Sequence, residues 1–152
     1  MLKKFHFVAA ILATLTIATF FTSTILVEMF GSHHAIAVVK SLIVIPGLFV
    51  LIPALVATGS SGFFLSKGRN GRLVEVKMKR MRFIAANGLL ILVPAAIFLD
   101  QWASAGSFDT KFIIVQALEL LAGATNLTLM GLNMRDGLRL VGGSKIPTTL
   151  PG

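Results

Sequence analysis

The stretch FIIVQALELLAGATNLTLMGLNM, residues Phe112 to Met134, contains a single charged side chain, Glu119. At a rise of about 1.5 Å per residue, a helix of this length crosses the hydrocarbon core of a bilayer, which is about 30 Å thick. A carboxylate at that depth is costly unless it faces other helices instead of lipid. The stretch therefore predicts a membrane-spanning helix that packs into a bundle.

Polar and small residues recur along one side of this predicted helix. Successive members are three or four residues apart, which is the spacing of a packing seam between helices. We call them the polar seam: Gln116, Glu119, Gly123, Asn126, Met130 and Asn133. The spacing predicts that the polar seam points into the bundle.

The rest of the 152-residue chain has the same apolar character. It is 55% hydrophobic and 13% charged, whereas ordinary soluble domains are about 45–50% apolar and about 25% charged. Interruptions by charged residues predict four spans, at about 5–29, 36–66, 83–102 and 112–134. We expect an all-α, four-transmembrane-helix bundle that forms one domain over residues 1–140, with a flexible tail over 141–152. Pro46 and Pro53 should bend the second span.

In the predicted four-span arrangement, most of the positive charge lies on the side of the membrane that holds the termini. Of the 14 Lys and Arg residues, only Lys40 and Lys111 fall on the side away from the termini. Short loops rich in Lys and Arg stay in the cytoplasm, so both termini are expected there, in a multi-pass protein of the bacterial inner (plasma) membrane. The basic loop 67–82 is interpreted as an amphipathic stretch on the membrane surface that contacts anionic lipid headgroups and not nucleic acid.

The first span has an alternative interpretation as a cleaved signal peptide, since small residues occur at 35–37. Its apolar stretch is longer than the usual 7–15 residues of a signal core. Glu28 and two histidines also separate it from the small residues. An uncleaved membrane helix is therefore the favoured interpretation.

A second narrow stripe marks the predicted second span. Lys40 begins it, and small residues follow at intervals of seven, at Gly47, Ala54 and Ser61. Small residues allow helices to approach closely in a membrane. Lys40 lies at the same end of the bundle as Glu119, so the stripe and the polar seam should meet there.

A cluster of polar residues is predicted at this end, away from the termini: Glu28, His33, His34, Lys40, Gln116 and Glu119, with Asp100 nearby. In one interpretation Lys40 pairs with Glu119 or Glu28, and the histidines are solvated. In the other, Glu28, Lys40, Gln116 and Glu119, with Asn87 and Asn126 deeper in the bundle, bind a proton or a small ligand. Carboxylates and imidazoles also suit a divalent metal ion, held by His33, His34, Glu28 and Glu119.

Haem b is a further candidate cofactor, but the histidines are poorly placed for it. His6 and the pair His33 and His34 fall at opposite membrane faces, roughly 30 Å apart, so they cannot ligate one iron. A haem would require one histidine from the chain, or histidines from two subunits. The absence of cysteine excludes thiolate metal sites and disulfides.

The outline of four short helices, with Thr58-Gly59 closing the second span, resembles the small bacterial integral membrane proteins of the copper-resistance-D-like group. The resemblance implies a four-helix fold and, for some members, metal handling, and it carries over no functional residue. No catalytic motif is evident, so we expect a non-enzymatic protein that handles a metal ion, proton or small ligand. The alternatives are an accessory or assembly subunit, with a homo-oligomer or membrane-protein partner, and a haem-binding redox protein.

Overall fold

The computed structural model describes residues 1–67 and 71–142, with side chains described up to 139. Six α-helices follow one another in this part of the chain, and two short π-helical segments, Ile43–Gly47 and Gly88–Leu92, join α2 to α3 and α4 to α5. The α-helices are α1 (Leu2–Phe30), α2 (His33–Leu42), α3 (Leu48–Ser66), α4 (Arg72–Asn87), α5 (Val93–Ser104) and α6 (Thr110–Gly142). The predicted tail lies outside the described residues from 143 onward.

Four helical runs are long and apolar enough to cross a membrane, which confirms the predicted all-α architecture for the described residues. These spans 1 to 4 are Leu2–Phe30, His33–Ser66, Arg72–Ser104 and Thr110–Arg139. Helix α1 packs chiefly against α3, α2 packs against α5, and α6 packs against both α4 and α5. Thr14 Oγ1 in span 1 lies 3.8 Å from Met134 Sδ in span 4. Phe7, near the start of α1, and Leu138, near the end of α6, line the same cavity. The start of α1 and the end of α6 are therefore at the same end of the bundle, which we call the basic end.

Span 2 is bent at Pro46, as the sequence predicts. The residue before it, Ile45, has φ −134° and ψ 113° and leaves the helical conformation. Proline has no N–H to donate, and its ring crowds the preceding turn, so a kink at this position is expected. Pro53 lies within α3, which continues to Ser66. Because of the bend, α2 contacts α5 while α3 contacts α1.

The basic stretch predicted as a loop over 67–82 is helical from Arg72 onward and belongs there to span 3, so the predicted loop conformation is wrong for this part. Helix α4 begins at Arg72 and runs through Asn87. Arg80 Nη1 lies 2.7 Å from Asp136 Oδ2 on α6, and this ion pair attaches the polar start of α4 to the bundle. Helix α6 in turn continues past the predicted end of its span at 134 to Gly142.

Burial confirms the predicted inward stripes. All four members of the span 2 stripe, Lys40, Gly47, Ala54 and Ser61, are buried. The outer surface instead exposes large apolar side chains, such as Phe49 at 73% and Leu90 at 75%. Such a surface suits lipid as the surrounding solvent.

Candidate functional site

Lys40 and Glu119 form a buried ion pair at the end of the bundle away from the termini. Lys40 Nζ lies 2.5 Å from Glu119 Oε2, and the lysine side chain is 0% exposed against 12% for the glutamate. Gln116, one helical turn before Glu119, donates from Nε2 to the same oxygen at 3.1 Å. Of the two partners that the sequence leaves open for Lys40, the structure selects Glu119.

Glu28, near the end of α1, brings a second carboxyl group to this pair. Lys40, Glu119 and His33 all lie within electrostatic range of it. In the part of the chain that the structure describes, its Oε1 is buried without a hydrogen-bond partner, and so is Oε1 of Gln116. Leaving a buried acceptor without a donor costs about 1–3 kcal/mol. We call Glu28, Lys40, Gln116 and Glu119 the mouth cluster. It holds two carboxyl groups and one amine, and two of its acceptor oxygens have no donor among the described residues.

The two neighbouring histidines do not complete a metal site. His33 stacks on Phe108 with ring centroids 4.1 Å apart, and His34 is exposed. Within residues 1–67 and 71–142, no group of three or more His, Asp or Glu side chains could hold a metal ion. The predicted metal site of His33, His34, Glu28 and Glu119 is therefore unsupported.

Asn87 and Asn126 form a separate polar contact deeper in the bundle. Asn87 Nδ2 donates to Asn126 Oδ1 at 2.8 Å and to the carbonyl oxygen of Ala122 at 2.9 Å. Asn126 is 0% exposed and Asn87 is 8% exposed. The contact joins α4 to α6, and Asn126 lies two helical turns beyond Glu119. The sequence predicts these two residues inside the bundle, and the structure adds their pairing.

At the basic end His6 is hydrogen-bonded to Ser61, a contact that the sequence does not predict. Its Nδ1 lies 2.9 Å from Ser61 Oγ. The Ser61 hydroxyl donates its hydrogen to the carbonyl oxygen of Ala57. In the contact with His6, Nδ1–H is therefore the donor and Ser61 Oγ is the acceptor. The seven-residue stripe indicates that Ser61 is buried, but a pattern along one helix carries no information about its partner on another. His6 and the pair His33 and His34 lie at opposite ends of the bundle, as predicted.

A cavity of about 370 Å³ lies between the mouth cluster and the asparagine pair. Its wall is mainly apolar, with Thr24, Glu119 and Asn126 among its few polar members. Both hydrogen bonds of Glu119 end on Oε2, so Oε1 has no partner in the described part of the chain. The wall also includes Val56 and Leu89, which are 64% and 60% exposed. This first cavity therefore opens sideways between α3 and the π-helical segment of span 3.

A second cavity, of about 190 Å³, lies at the basic end. His6, Lys77 and Asn133 are among its polar wall residues. Asn133 Oδ1 is buried and has no hydrogen-bond partner within residues 1–67 and 71–142. The two cavities share three wall residues: Leu55, Gly59 and Ala85. The bundle thus has two adjacent cavities with different polar groups.

Comparison with known proteins finds no match for this chain among protein-family models, curated proteins or solved structures. The function is therefore argued from the geometry of the site.

Proposed function

We propose that the protein is a multi-pass membrane protein that binds a small hydrophobic ammonium ion. The ammonium group would lie against Glu119, and the apolar part would occupy the first cavity. The observation that carries the proposal is the composition of the mouth cluster, in which two carboxyl groups, Glu28 and Glu119, lie near one lysine, Lys40.

The charge argument starts from Lys40, which is engaged with Glu119. With both carboxyl groups ionised, the mouth cluster carries one uncompensated negative charge. Such a charge costs several kcal/mol in surroundings of low polarity. An ammonium ion on Glu119 makes the cluster neutral, and it leaves the Lys40 amine available to Glu28. Its N–H groups would also suit the acceptor Oε1 of Glu119, which has no partner in the described residues.

The shape of the first cavity supports an apolar body for this ligand. Its volume of about 370 Å³ is within the range of small-molecule sites, which is about 300–1,000 Å³. Its opening lies between lipid-facing side chains such as Val56 and Leu89. A ligand dissolved in the membrane would reach Glu119 through this opening without crossing the aqueous end of the bundle.

The test compares 2-phenylethylammonium with uncharged 2-phenylethanol, by saturation-transfer NMR titration of the purified full chain in a neutral detergent. The ammonium should bind about tenfold or more tightly than the alcohol, since one charge interaction of about 1.4 kcal/mol gives this factor. Glu119→Gln should remove the preference. Glu75→Gln is the matched control, because that carboxylate is 68% exposed in an ion pair with Lys79.

A second pair of variants tests the cavity without removing a charge. A Cβ at Gly59 meets no described residue within 4 Å, and Gly59 lines the cavity. Gly59→Leu should therefore fill the space and abolish binding. Gly131 also has open space around its Cβ position and lines neither cavity, so Gly131→Leu should bind like the wild type. Equal binding of the two ligands, or unchanged binding by Gly59→Leu, would overturn the proposal.

We also infer that both termini are cytoplasmic and that the membrane is the bacterial inner membrane. The inference rests on the positive-inside bias. Lys3, Lys4 and Lys67 lie at the basic end with the arginines of α4 and α6, whereas Lys40 and Lys111 lie at the other end. The same bias favours contact between the basic end and anionic headgroups.

A further inference from the structure

We propose that the second cavity binds a single-chain glycerophosphate lipid, that is, a lysophospholipid with a phosphate and a free glycerol hydroxyl. The acyl chain would lie in the cavity, the phosphate at Lys77, and the hydroxyl at Asn133. This site is separate from the first cavity and differs from it in charge.

The acyl chain is indicated by the wall and by the opening of the second cavity. Most of its wall is apolar and comes from α1, α3, α4 and α6. Two of the wall residues, Phe7 on α1 and Leu138 on α6, are 51% and 65% exposed. The cavity therefore opens between these helices toward the lipid, and a chain from the surrounding leaflet can enter sideways. The modest volume of about 190 Å³ favours one chain over two.

The phosphate is indicated by the basic residues around this opening. Lys77 is in the wall, and a Cβ at Gly137 would come 3.0 Å from its Nζ. The lack of a side chain at Gly137 thus lets the ammonium group lie against α6. Lys4 is one helical turn from Phe7, and Arg135 is one turn from Leu138. Arg135 and Arg80 share the single carboxylate of Asp136, so the charge around the opening remains positive. A negatively charged headgroup is favoured here by about 1 kcal/mol per basic residue near the surface.

The hydroxyl is indicated by Asn133, whose Oδ1 is buried and has no donor among the described residues. Asn133 lies four residues before Gly137 on α6, so the two positions are about 6 Å apart along the helix axis. The amide oxygen is therefore deeper in the bundle than the Lys77 amine. In a lysophospholipid the free glycerol hydroxyl likewise lies between the phosphate and the acyl chain. A diacyl lipid has an ester at that position and offers no donor to Asn133.

The experiment measures lipid adducts of the full chain by native mass spectrometry in a neutral detergent. The probes are 1-oleoyl-glycerol-3-phosphate, its analogue without the hydroxyl, dioleoyl phosphatidic acid and oleate. We expect one copy of the first lipid to bind, about fivefold more tightly than the analogue because of the hydrogen bond to Asn133. Tighter binding of the diacyl lipid or of oleate would overturn the proposal.

Two variants test the named residues. Lys77→Gln should weaken binding of 1-oleoyl-glycerol-3-phosphate about fivefold, whereas Lys79→Gln, which changes a 73% exposed lysine on the same helix, should not. Asn133→Leu should bind the lipid and its analogue equally. The ratio of the two affinities is measured on Asn133→Leu alone. It therefore tests the site even if Lys77→Gln does not fold. Equal losses in the two lysine variants, or a retained preference in Asn133→Leu, would contradict the assignment.

Discussion

Lys40 and Glu119 form an ion pair across spans 2 and 4, with 2.5 Å between nitrogen and oxygen and the lysine side chain completely buried. The two residues lie on helices that are far apart in sequence, so the pair sets the rotation of both helices at this end of the bundle. Glu119 depends on Lys40 for its opposite charge, whereas Lys40 also lies within electrostatic range of Glu28.

This dependence predicts a characteristic pattern of stability. Lys40→Met should lower the free energy of unfolding by about 3–5 kcal/mol, because it leaves the buried Glu119 without its cation. Glu119→Leu should lower it by less, because Glu28 lies within electrostatic range of Lys40. The double variant should recover much of the loss, since both charges are then absent. Denaturant titration of the detergent-solubilised protein measures all four proteins. A double variant whose loss equals the sum of the single losses would contradict the pairing.

A second prediction concerns Gly47, at the end of the π-helical segment of span 2. A Cβ there would come 2.5 Å from Phe20 Cζ and 2.9 Å from the carbonyl oxygen of Leu42. Gly47→Ala should therefore destabilise the fold by about 1–3 kcal/mol through overpacking. Gly59→Ala is the matched change, since its Cβ meets nothing within 4 Å, and it should be neutral or stabilising by up to about 1 kcal/mol. Melting temperatures compared in one detergent check the difference, and equal temperatures would refute it.

A third prediction concerns the unequal roles of Asn87 and Asn126. Asn87 Nδ2 donates to both Asn126 Oδ1 and the carbonyl oxygen of Ala122. Asn87→Ala removes both bonds and leaves the Asn126 acceptor without its donor, at a cost of about 1–3 kcal/mol. Asn126→Ala removes the bond between the two side chains and a longer one, at 3.4 Å, from Asn126 Nδ2 to the carbonyl oxygen of Ile84. It leaves Asn87 Nδ2 bonded to Ala122, so no side-chain donor loses its last acceptor, and it should cost less than Asn87→Ala. Unfolding free energies that are equal, or in the reverse order, would show that this geometry does not control stability.

The sequence predicts the four spans and the inward direction of the polar seam because both follow from the cost of polar groups in lipid. Lys40, for example, must avoid lipid whatever its partner is. The choice of Glu119 over Glu28 depends on how the helices are rotated about their axes, which spacing along one helix does not determine. The helix beginning at Arg72 is missed because a charged, solvated helix has the composition of a loop. The cavities depend on how four helices cross, so no single stretch indicates them.

The last prediction concerns the direction of the bundle across the membrane. The chain contains no cysteine, so a single introduced cysteine reports the accessibility of one position. Lys3 is exposed at the start of α1, and Ala105 is exposed between α5 and α6 at the other end of the bundle. If the basic end is cytoplasmic, a membrane-impermeant maleimide added to intact spheroplasts should label Ala105→Cys and not Lys3→Cys. After lysis both should react, which controls for buried or unfolded protein. Labelling of Lys3→Cys in intact spheroplasts would show that the basic end faces outward. The mouth cluster would then lie at the cytoplasmic end of the bundle.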